Sequence, residues 1–206
     1  MSKRDRLRRR PAFRSPQARF LIVCEGTRTE PGYFRQKCHL DRSLVELELS
    51  PGGVPKTLVE RAVEKKRTAK RDAKRNKDRN LEYDEVWCVF DIDEHPFVAE
   101  AKQQARENEI STAVSNPCFE LWMLLHFQDQ RAHIERAQVQ RECRRYLPIY
   151  EKDPPTAELS PRYDDAVARA RDLDAWQASR DGEGANPSTG VYRLTERIKE
   201  LGRPRG

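Results

Sequence analysis

The sequence predicts an α/β protein built on a mostly parallel sheet of four strands, flanked by helices and followed by a helical extension. Apolar runs at 20–24 and 86–90 have the length and composition of strands buried on both faces. Helical patterns alternate with the predicted strands, and short connections of this kind favour parallel pairing through right-handed crossovers. A chain of 206 residues is long enough to form one such domain.

The amino-acid composition indicates which partner and which cellular compartment to expect. Charged residues make up 36% of the chain, apolar residues another 36%, and the net charge is +6. Because the basic residues are clustered, we expect a polyanionic partner. The five cysteines form no close pair, which predicts buried free thiols in a reducing compartment and disfavours a zinc site. No apolar segment is long enough to span a bilayer or act as a signal peptide, so we expect a cytoplasmic protein.

The first part of the chain shows three elements before the long basic helix. Residues 1–19 are rich in arginine and predict a disordered basic arm. The strand at 20–24 opens a core domain that we expect to extend to residue 130. A helix at about 30–40 follows, and the alternation of apolar and acidic residues at 43–50 predicts an edge strand.

A basic helix is predicted from 56 to about 79. Its first half carries an apolar stripe, whereas its second half, 65–79, has few apolar residues and is expected to project from the core. Such a surface suits a nucleic-acid backbone, which is recognised by its charge, although a solvated helix is the alternative. The candidate nucleic-acid-binding residues are Lys66, Arg67, Lys70, Arg71, Lys74 and Arg75.

The remaining elements complete the predicted sheet and its extension. A crossover helix beginning at Pro96 leads to a fourth strand at 110–115, and Asn116 and Pro117 are expected to start a strongly apolar helix. The extension at 131–201 is predicted to consist of helices packed on the core, before a short tail at 202–206. These helices are expected at about 134–146, 162–179 and 189–201.

Acidic residues follow two of the predicted strands. Glu25 follows the first strand, while Asp91 and Asp93 follow the third and point to the same side because they are two residues apart. An Asp-x-Asp motif alone also occurs in ordinary turns. If the first and third strands are neighbours, however, the three carboxylates meet, and Mg²⁺ or Mn²⁺ would relieve their repulsion. Glu30 is interpreted as an acid that complements the start of a helix.

Four blocks of sequence carry a family resemblance. Residues 20–34, 89–95, 115–127 and 186–192 resemble the RloB-like family, and the resemblance extends over about residues 20–200. That family accompanies restriction-modification and abortive-infection loci. Its fold is related to the Toprim domain, in which a glutamate after one strand and an Asp-x-Asp after another bind Mg²⁺.

The resemblance implies roles for particular residues. Glu25 takes the place of the family's glutamate, and Asp91 and Asp93 take the places of its metal ligands. Glu120 is a weaker candidate for a catalytic role. The partners implied are a nucleic acid and an ATPase of the ABC or AAA type that is encoded nearby.

These observations predict a metal-dependent nuclease of RNA, tRNA or DNA that acts in anti-phage defence. One alternative is a non-catalytic nucleic-acid-binding subunit of a defence complex with an ATPase. A phosphatase of the haloacid-dehalogenase type is disfavoured, because its Asp-x-Asp normally follows the first strand. The sequence leaves the choice of nucleic acid, the number of metal ions and the oligomeric state open.

Overall fold

The computed structural model describes residues 18–41, 45–50, 54–92, 97–148, 154–180, 182 and 184–201. The strands are β1 (Phe20–Cys24), β2 (Val45–Leu49), β3 (Glu85–Asp91), β4 (Ser111–Asn116) and β5 (Ser188–Thr189). The helices are α1 (Thr29–Leu40), α2 (Pro55–Asn76), α3 (Val98–Glu107), α4 (Glu120–Leu124), α5 (Arg136–Tyr146), α6 (Thr156–Leu159), α7 (Tyr163–Ala178) and α8 (Val191–Leu201). No helix within these ranges is long and apolar enough to cross a membrane.

The five strands form one sheet in the order β2-β1-β3-β4-β5. Strands β1 to β4 are parallel to their neighbours, and β5 is antiparallel to β4. Every residue of β1 is buried, which explains its uninterrupted apolar run. Strand β2 lies at the sheet edge, as its alternation of apolar and acidic residues predicts. On its acidic face, Glu48 forms ion pairs with Arg61 and Lys65.

Helices cover both faces of the sheet. Side chains such as Ile22 and Val89 face a large core formed with α1, α4, α5, α7 and α8. Val23 and Cys88 face the opposite side, where α2 and α3 pack. In the first layer Tyr33, Phe34 and Phe119 pack edge to face, with ring centroids 5.5–5.9 Å apart. These aromatic contacts hold α1 against the segment that leads into α4.

Two sequence expectations are corrected by the structure. The sheet has five strands among the described residues instead of four, because Ser188 and Thr189 pair with β4 where a helix entry was expected. A two-residue strand is too short to leave a periodic pattern in the sequence. Strand β4 also continues through Asn116, and α4 begins only at Glu120, so the Asn116–Pro117 step does not start the helix.

The ends of the chain fall largely outside the described residues. Of the predicted arm only Ala18 and Arg19 are described, and the predicted tail at 202–206 lies outside. All five cysteines are free and buried, as the sequence predicts. Cys88 faces α2 and α3, and the others lie in the larger core on the opposite face.

Candidate functional site

The carboxyl ends of β1 and β3 bring the first two predicted site residues together. These strands are neighbours, and Cys24 is paired with Val89. The backbone N–H of Glu25 donates to the carbonyl of Val89 at 3.1 Å, which continues the ladder beyond β1. The backbone N–H of Asp91 in turn approaches Glu25 Oε2 at 3.4 Å. The expected convergence of Glu25 and Asp91 therefore occurs.

Glu30 joins these two residues from the first turn of α1. Its carboxylate lies over Gly26, where a β-carbon would come within 1.9 Å of Glu30 Oε2. The absence of a side chain at residue 26 thus leaves room for the Glu30 carboxylate. Glu30 interacts electrostatically with Glu25 and Glu120. It therefore belongs to the site, in addition to its expected place at the start of a helix.

Glu120 is the fourth carboxylate near this point, and it interacts electrostatically with Glu30 and Asp91. It is buried at the first position of α4, and its Oε1 lies 3.3 Å from Nε2 of Gln140 on α5. The thiol of Cys143 on the same helix donates to the carbonyl of Glu120 at 3.2 Å. We call Glu25, Glu30, Asp91 and Glu120 the carboxylate cluster. The carboxylate cluster brings residues from near the beginning and near the end of the predicted core domain to one edge of the sheet.

Within the part of the chain that the structure describes, Arg136 brings a basic side chain to the carboxylate cluster. Arg136, at the first position of α5, donates from Nη2 to Asp91 Oδ2 at 3.0 Å. The Asp91 side chain is only 12% exposed, whereas that of Arg136 is 37% exposed. The guanidinium thus reaches from the protein surface toward a nearly buried carboxylate. Arg136 is therefore a positive partner of Asp91 that the sequence analysis does not identify.

The positive charge of Arg136 does not offset the effect of burial on the pKa of Asp91. Burial, reinforced by the charge of Glu30, raises the pKa of Asp91 well above its ordinary range even though Arg136 opposes the shift. Burial also raises the pKa of Glu30 from an ordinary 4.5 to about 7, with further contributions from Glu120 and Glu25. The carboxyl groups of Asp91 and Glu30 therefore ionise less readily than ordinary ones, and a bound cation would favour their ionised forms.

The structure describes only two of the three predicted metal ligands, Glu25 and Asp91. Asp93 lies outside the described residues, so its position relative to Asp91 is not given. Among the residues that are described, no three His, Cys, Asp or Glu side chains form a ready-made metal site. The prediction that Glu25, Asp91 and Asp93 bind a metal ion stays a prediction.

The predicted nucleic-acid-binding residues lie elsewhere, on the second half of α2. Lys66 Nζ donates to the carbonyls of Asn108 and Glu109 at 2.8 and 2.9 Å, in the turn before β4. This places them toward the amino ends of the parallel strands, away from the carboxylate cluster. Ala69 and Ala73 are buried, so this half is covered on one side and does not project freely. The other five candidates are exposed: Arg67, Lys70, Arg71, Lys74 and Arg75.

Three residues of the site are not identified by sequence reasoning. Glu30 is interpreted there as a helix-start acid, and neither Arg136 nor Gln140 stands out. Arg136 lies 45 residues from Asp91 along the chain, and nothing in its local pattern distinguishes it from other arginines of an amphipathic helix. For Glu30, the sequence signal that could have indicated its place in the site is its position four residues after Gly26.

Together, fold and site define an α/β protein with a partly buried carboxylate cluster where two parallel strands end. The chain belongs to the RloB-like family: the family model described as RloB-like protein matches residues 20–198. A search of the curated proteins found no match, and a search of the solved structures found none either. Family membership is therefore shown over most of the chain.

Replacing Glu30 by Gln should stabilise the protein at about pH 8 by on the order of 2 kcal/mol. Because its folded pKa is about 7 and its ordinary value 4.5, native Glu30 retains a proton that the unfolded chain has lost between these values. The free energy of unfolding should consequently fall as pH rises through this window, and Glu30→Gln should remove that fall. Denaturant titrations of both proteins at about pH 4.5 and pH 8 would measure it.

The native protein is the appropriate reference for this comparison. Burial lowers the pKa of His126 to about 4, so its titration gives an opposite slope that is common to both proteins and cancels. An equal difference in stability at both pH values would contradict the prediction.

Proposed function

We propose that this protein is a divalent-metal-dependent nuclease whose catalytic centre is the carboxylate cluster. The observation that carries the proposal is the meeting of the half-buried Glu25 and the buried Asp91 at the carboxyl ends of β1 and β3, where the pKa of Asp91 is raised despite its bond to Arg136. Ligands of open α/β sheets bind at this edge. The relation to the Toprim domain that the RloB-like resemblance implies supports the same assignment.

The donor set fits Mg²⁺ or Mn²⁺. Carboxylate oxygens are the preferred protein ligands of these hard cations, and the cluster brings four carboxylates together. Glu25, Asp91 and Asp93 would hold the ion. When bound, such an ion neutralises charge on a phosphoryl oxygen and lowers the pKa of a coordinated water.

The protein's own side chains would act around the phosphodiester. Glu30, with a pKa of about 7, can exchange a proton at neutral pH, as a general acid or base requires. Arg136 offers planar guanidinium donors beside Asp91 that suit a phosphate oxygen. Gln140 orients Glu120 through its contact at 3.3 Å. The positions of these groups support hydrolysis of a phosphate ester.

The biological setting that we propose follows from the family. A nuclease of this kind would act as an effector in anti-phage defence, in the cytoplasm, with an ABC- or AAA-type ATPase as its partner. RNA, tRNA and DNA all present the phosphodiester group that the carboxylate cluster would act on.

Cleavage of a panel of nucleic acids tests this function. Plasmid DNA, single-stranded DNA, total RNA and tRNA are incubated with the full chain in Mg²⁺, Mn²⁺ or EDTA. We expect cleavage of at least one substrate that requires metal, is lost in Glu25→Gln and persists in Asp165→Asn, an exposed acid at the start of α7. Cleavage that survives in EDTA or in Glu25→Gln would contradict the proposal.

The same panel of nucleic acids distinguishes the second candidate function from the first. A non-catalytic nucleic-acid-binding subunit would retain Mg²⁺-dependent binding but produce no cut ends, whether or not the ATPase is added. The carboxylate cluster would then use metal only to hold the nucleic acid.

A further inference from the structure

The second half of α2 carries a row of exposed basic side chains along one face. Arg67, Lys70, Arg71 and Lys74 are all exposed, and their spacing of three and four residues places them on the same side of the helix. At a rise of about 1.5 Å per residue, the row is about 10 Å long. We refer to these four residues as the α2 row.

Packing holds the α2 row in a fixed orientation. Ala69 and Ala73 are buried on another side of the same half of α2. Lys66 Nζ donates to the carbonyls of Asn108 and Glu109 at 2.8 and 2.9 Å, which joins the helix to the turn before β4. Lys66 is therefore not counted in the row, although the sequence suggests it as a nucleic-acid contact. The row is presented to solvent by a helix that is attached to the body of the protein.

The α2 row carries positive charge that has no acid beside it. Within the part of the chain that the structure describes, Lys70 and Lys74 make no hydrogen bond and no ion pair. Arg67 and Arg71 donate to neutral side-chain oxygens at 3.4 Å. Like charges three and four residues apart on a helix repel one another. A polyanion that lies along the row would relieve this repulsion.

The acids closest to the α2 row along the chain do not pair with it. Asp72 pairs with Arg75 at 3.1 Å, so Arg75 is not counted in the row either. Asp78 accepts from the backbone N–H of Asn80 at 2.9 Å. Glu64, one turn before the row, is exposed and makes no ion pair among the described residues. The charge of the row is therefore available to a ligand.

Basic residues between α7 and α8 show the contrasting arrangement. Arg171 pairs with Glu196 at 2.6 Å, and Lys199 pairs with Asp164 at 3.1 Å. Such pairs neutralise the charge of their cations at an exposed surface. Among the described residues the α2 row has no such partners, so it differs from a surface that is only solvated.

The α2 row and the carboxylate cluster are well separated. Arg67 contacts Asn108 in the turn before β4, whereas Asp91 lies beside Ser115, near the end of β4. The strand from Ser111 to Ser115 separates these points by about 16 Å. The row extends about 10 Å farther, because α2 runs from the end of β2 toward the start of β3. A nucleic acid of four nucleotides, about 14 Å long at 3.4 Å per step, is too short to contact both.

The chemistry of the α2 row suits the backbone of a nucleic acid. Lysine and arginine side chains are the usual partners of phosphate oxygens, and their contacts position a strand without reading its bases. The four members of the row include no aromatic ring on which a base could stack. The row therefore favours recognition by charge over recognition by sequence.

We propose that the α2 row binds the sugar-phosphate backbone of a nucleic acid and is an anchoring site separate from the catalytic centre. Binding by the row is independent of catalysis, whereas its consequence for cleavage rests on the proposed function. That consequence is a preference for long substrates, because a nucleic acid that reaches both sites gains contacts that a short one of the same sequence lacks.

Fluorescence anisotropy tests the anchoring site without requiring cleavage. Labelled RNA and DNA duplexes of the same sequence, about 20 base pairs long, are titrated with the full chain in EDTA over a series of salt concentrations. We expect Lys70→Gln/Lys74→Gln to weaken binding about tenfold or more. For the DNA duplex, the slope of log affinity against log salt concentration should become shallower by about 1.8. The RNA and DNA arms identify the sugar that is preferred.

Two further double variants provide the controls. Lys70→Arg/Lys74→Arg keeps the charge and should bind within about twofold of native. Arg171→Gln/Lys199→Gln removes the same charge from ion-paired positions and should also bind within about twofold of native. Glutamine is a good helix former, and thermal unfolding verifies that all the variants fold. If Lys70→Gln/Lys74→Gln binds like these controls, or if the native chain binds neither duplex, the inference is overturned.

Cleavage of long and short substrates tests the consequence. Rates are measured on a long nucleic acid that the native chain cleaves and on a fragment of about four nucleotides around the cleaved bond. Lys70→Gln/Lys74→Gln should raise KM for the long substrate about tenfold, with a much smaller effect on the fragment. An equal loss on both lengths would overturn the anchoring role and leave the proposed function intact. Weakened binding by this variant, without cleavage by the native chain, would support the anchoring site and contradict the proposed function.

Discussion

Asp91→Asn should reduce metal-dependent cleavage by about 100-fold or more without unfolding the protein. Asp91 is the buried carboxylate at the end of β3, and its oxygen accepts a bond from Arg136. Asparagine keeps the shape of the side chain but removes the charge that a divalent cation needs. Initial cleavage rates in saturating Mg²⁺, measured on the best substrate of the panel, would determine the loss.

The stability of Asp91→Asn should distinguish a functional residue from a structural one. Because burial raises the pKa of Asp91, its ionised form is unfavourable in the folded protein, and the neutral amide should not lower the midpoint of unfolding at about pH 8. Asp165→Asn, at an exposed position, should match native in both rate and stability. A loss of cleavage that is accompanied by a marked drop in the midpoint would contradict this prediction.

Arg136→Gln should destabilise the protein at about pH 8 by about 1–2 kcal/mol. Its guanidinium is the fixed positive partner of Asp91, and its charge also opposes the raised pKa of Glu30. Removing one partner of a nearly buried ion pair leaves the other charge uncompensated. Because the Arg136 side chain is 37% exposed, solvent screening places the expected cost between those of exposed and buried ion pairs. Denaturant titration would measure the change.

Two comparisons make the Arg136 prediction specific. Arg141→Gln, on the exposed side of the same helix, should change stability by no more than about 0.5 kcal/mol. Millimolar Mg²⁺ should raise the unfolding midpoint of Arg136→Gln more than that of native, since a bound cation replaces part of the missing charge. If Mg²⁺ stabilises both proteins equally, the carboxylate cluster does not bind the ion at the side that Arg136 occupies.

The parts of the site that could be predicted depend on strong local patterns. The apolar run of β3 ends abruptly at Asp91, and that of β1 ends at Glu25, so both strands and their terminal acids are visible in the sequence. The acids at the ends of two parallel strands meet if the strands are neighbours in the sheet. The structure confirms that β1 and β3 are neighbours. Two of the four carboxylates could thus be positioned from the order of elements alone.

The rest depends on packing between distant segments. Glu120 is recognisable as a polar exception within an apolar helix, but its partner Gln140 follows only from the packing of α5 against α4. Arg136 is similar, because an arginine at the start of a polar helix has many possible orientations. Strand β5 could not be predicted because two residues have no periodicity, and its pairing with β4 depends on the position of the last helix.

Chemical labelling of the buried cysteines would report local unfolding of the protein. Burial raises the pKa of all five thiols, so the reactive thiolate is scarce at every one of them while the fold is closed. Cys88 lies under α2 and α3, whereas Cys143 lies in the layer on the other side of the sheet. The order in which a thiol reagent labels them would therefore tell whether the two layers separate together or one before the other.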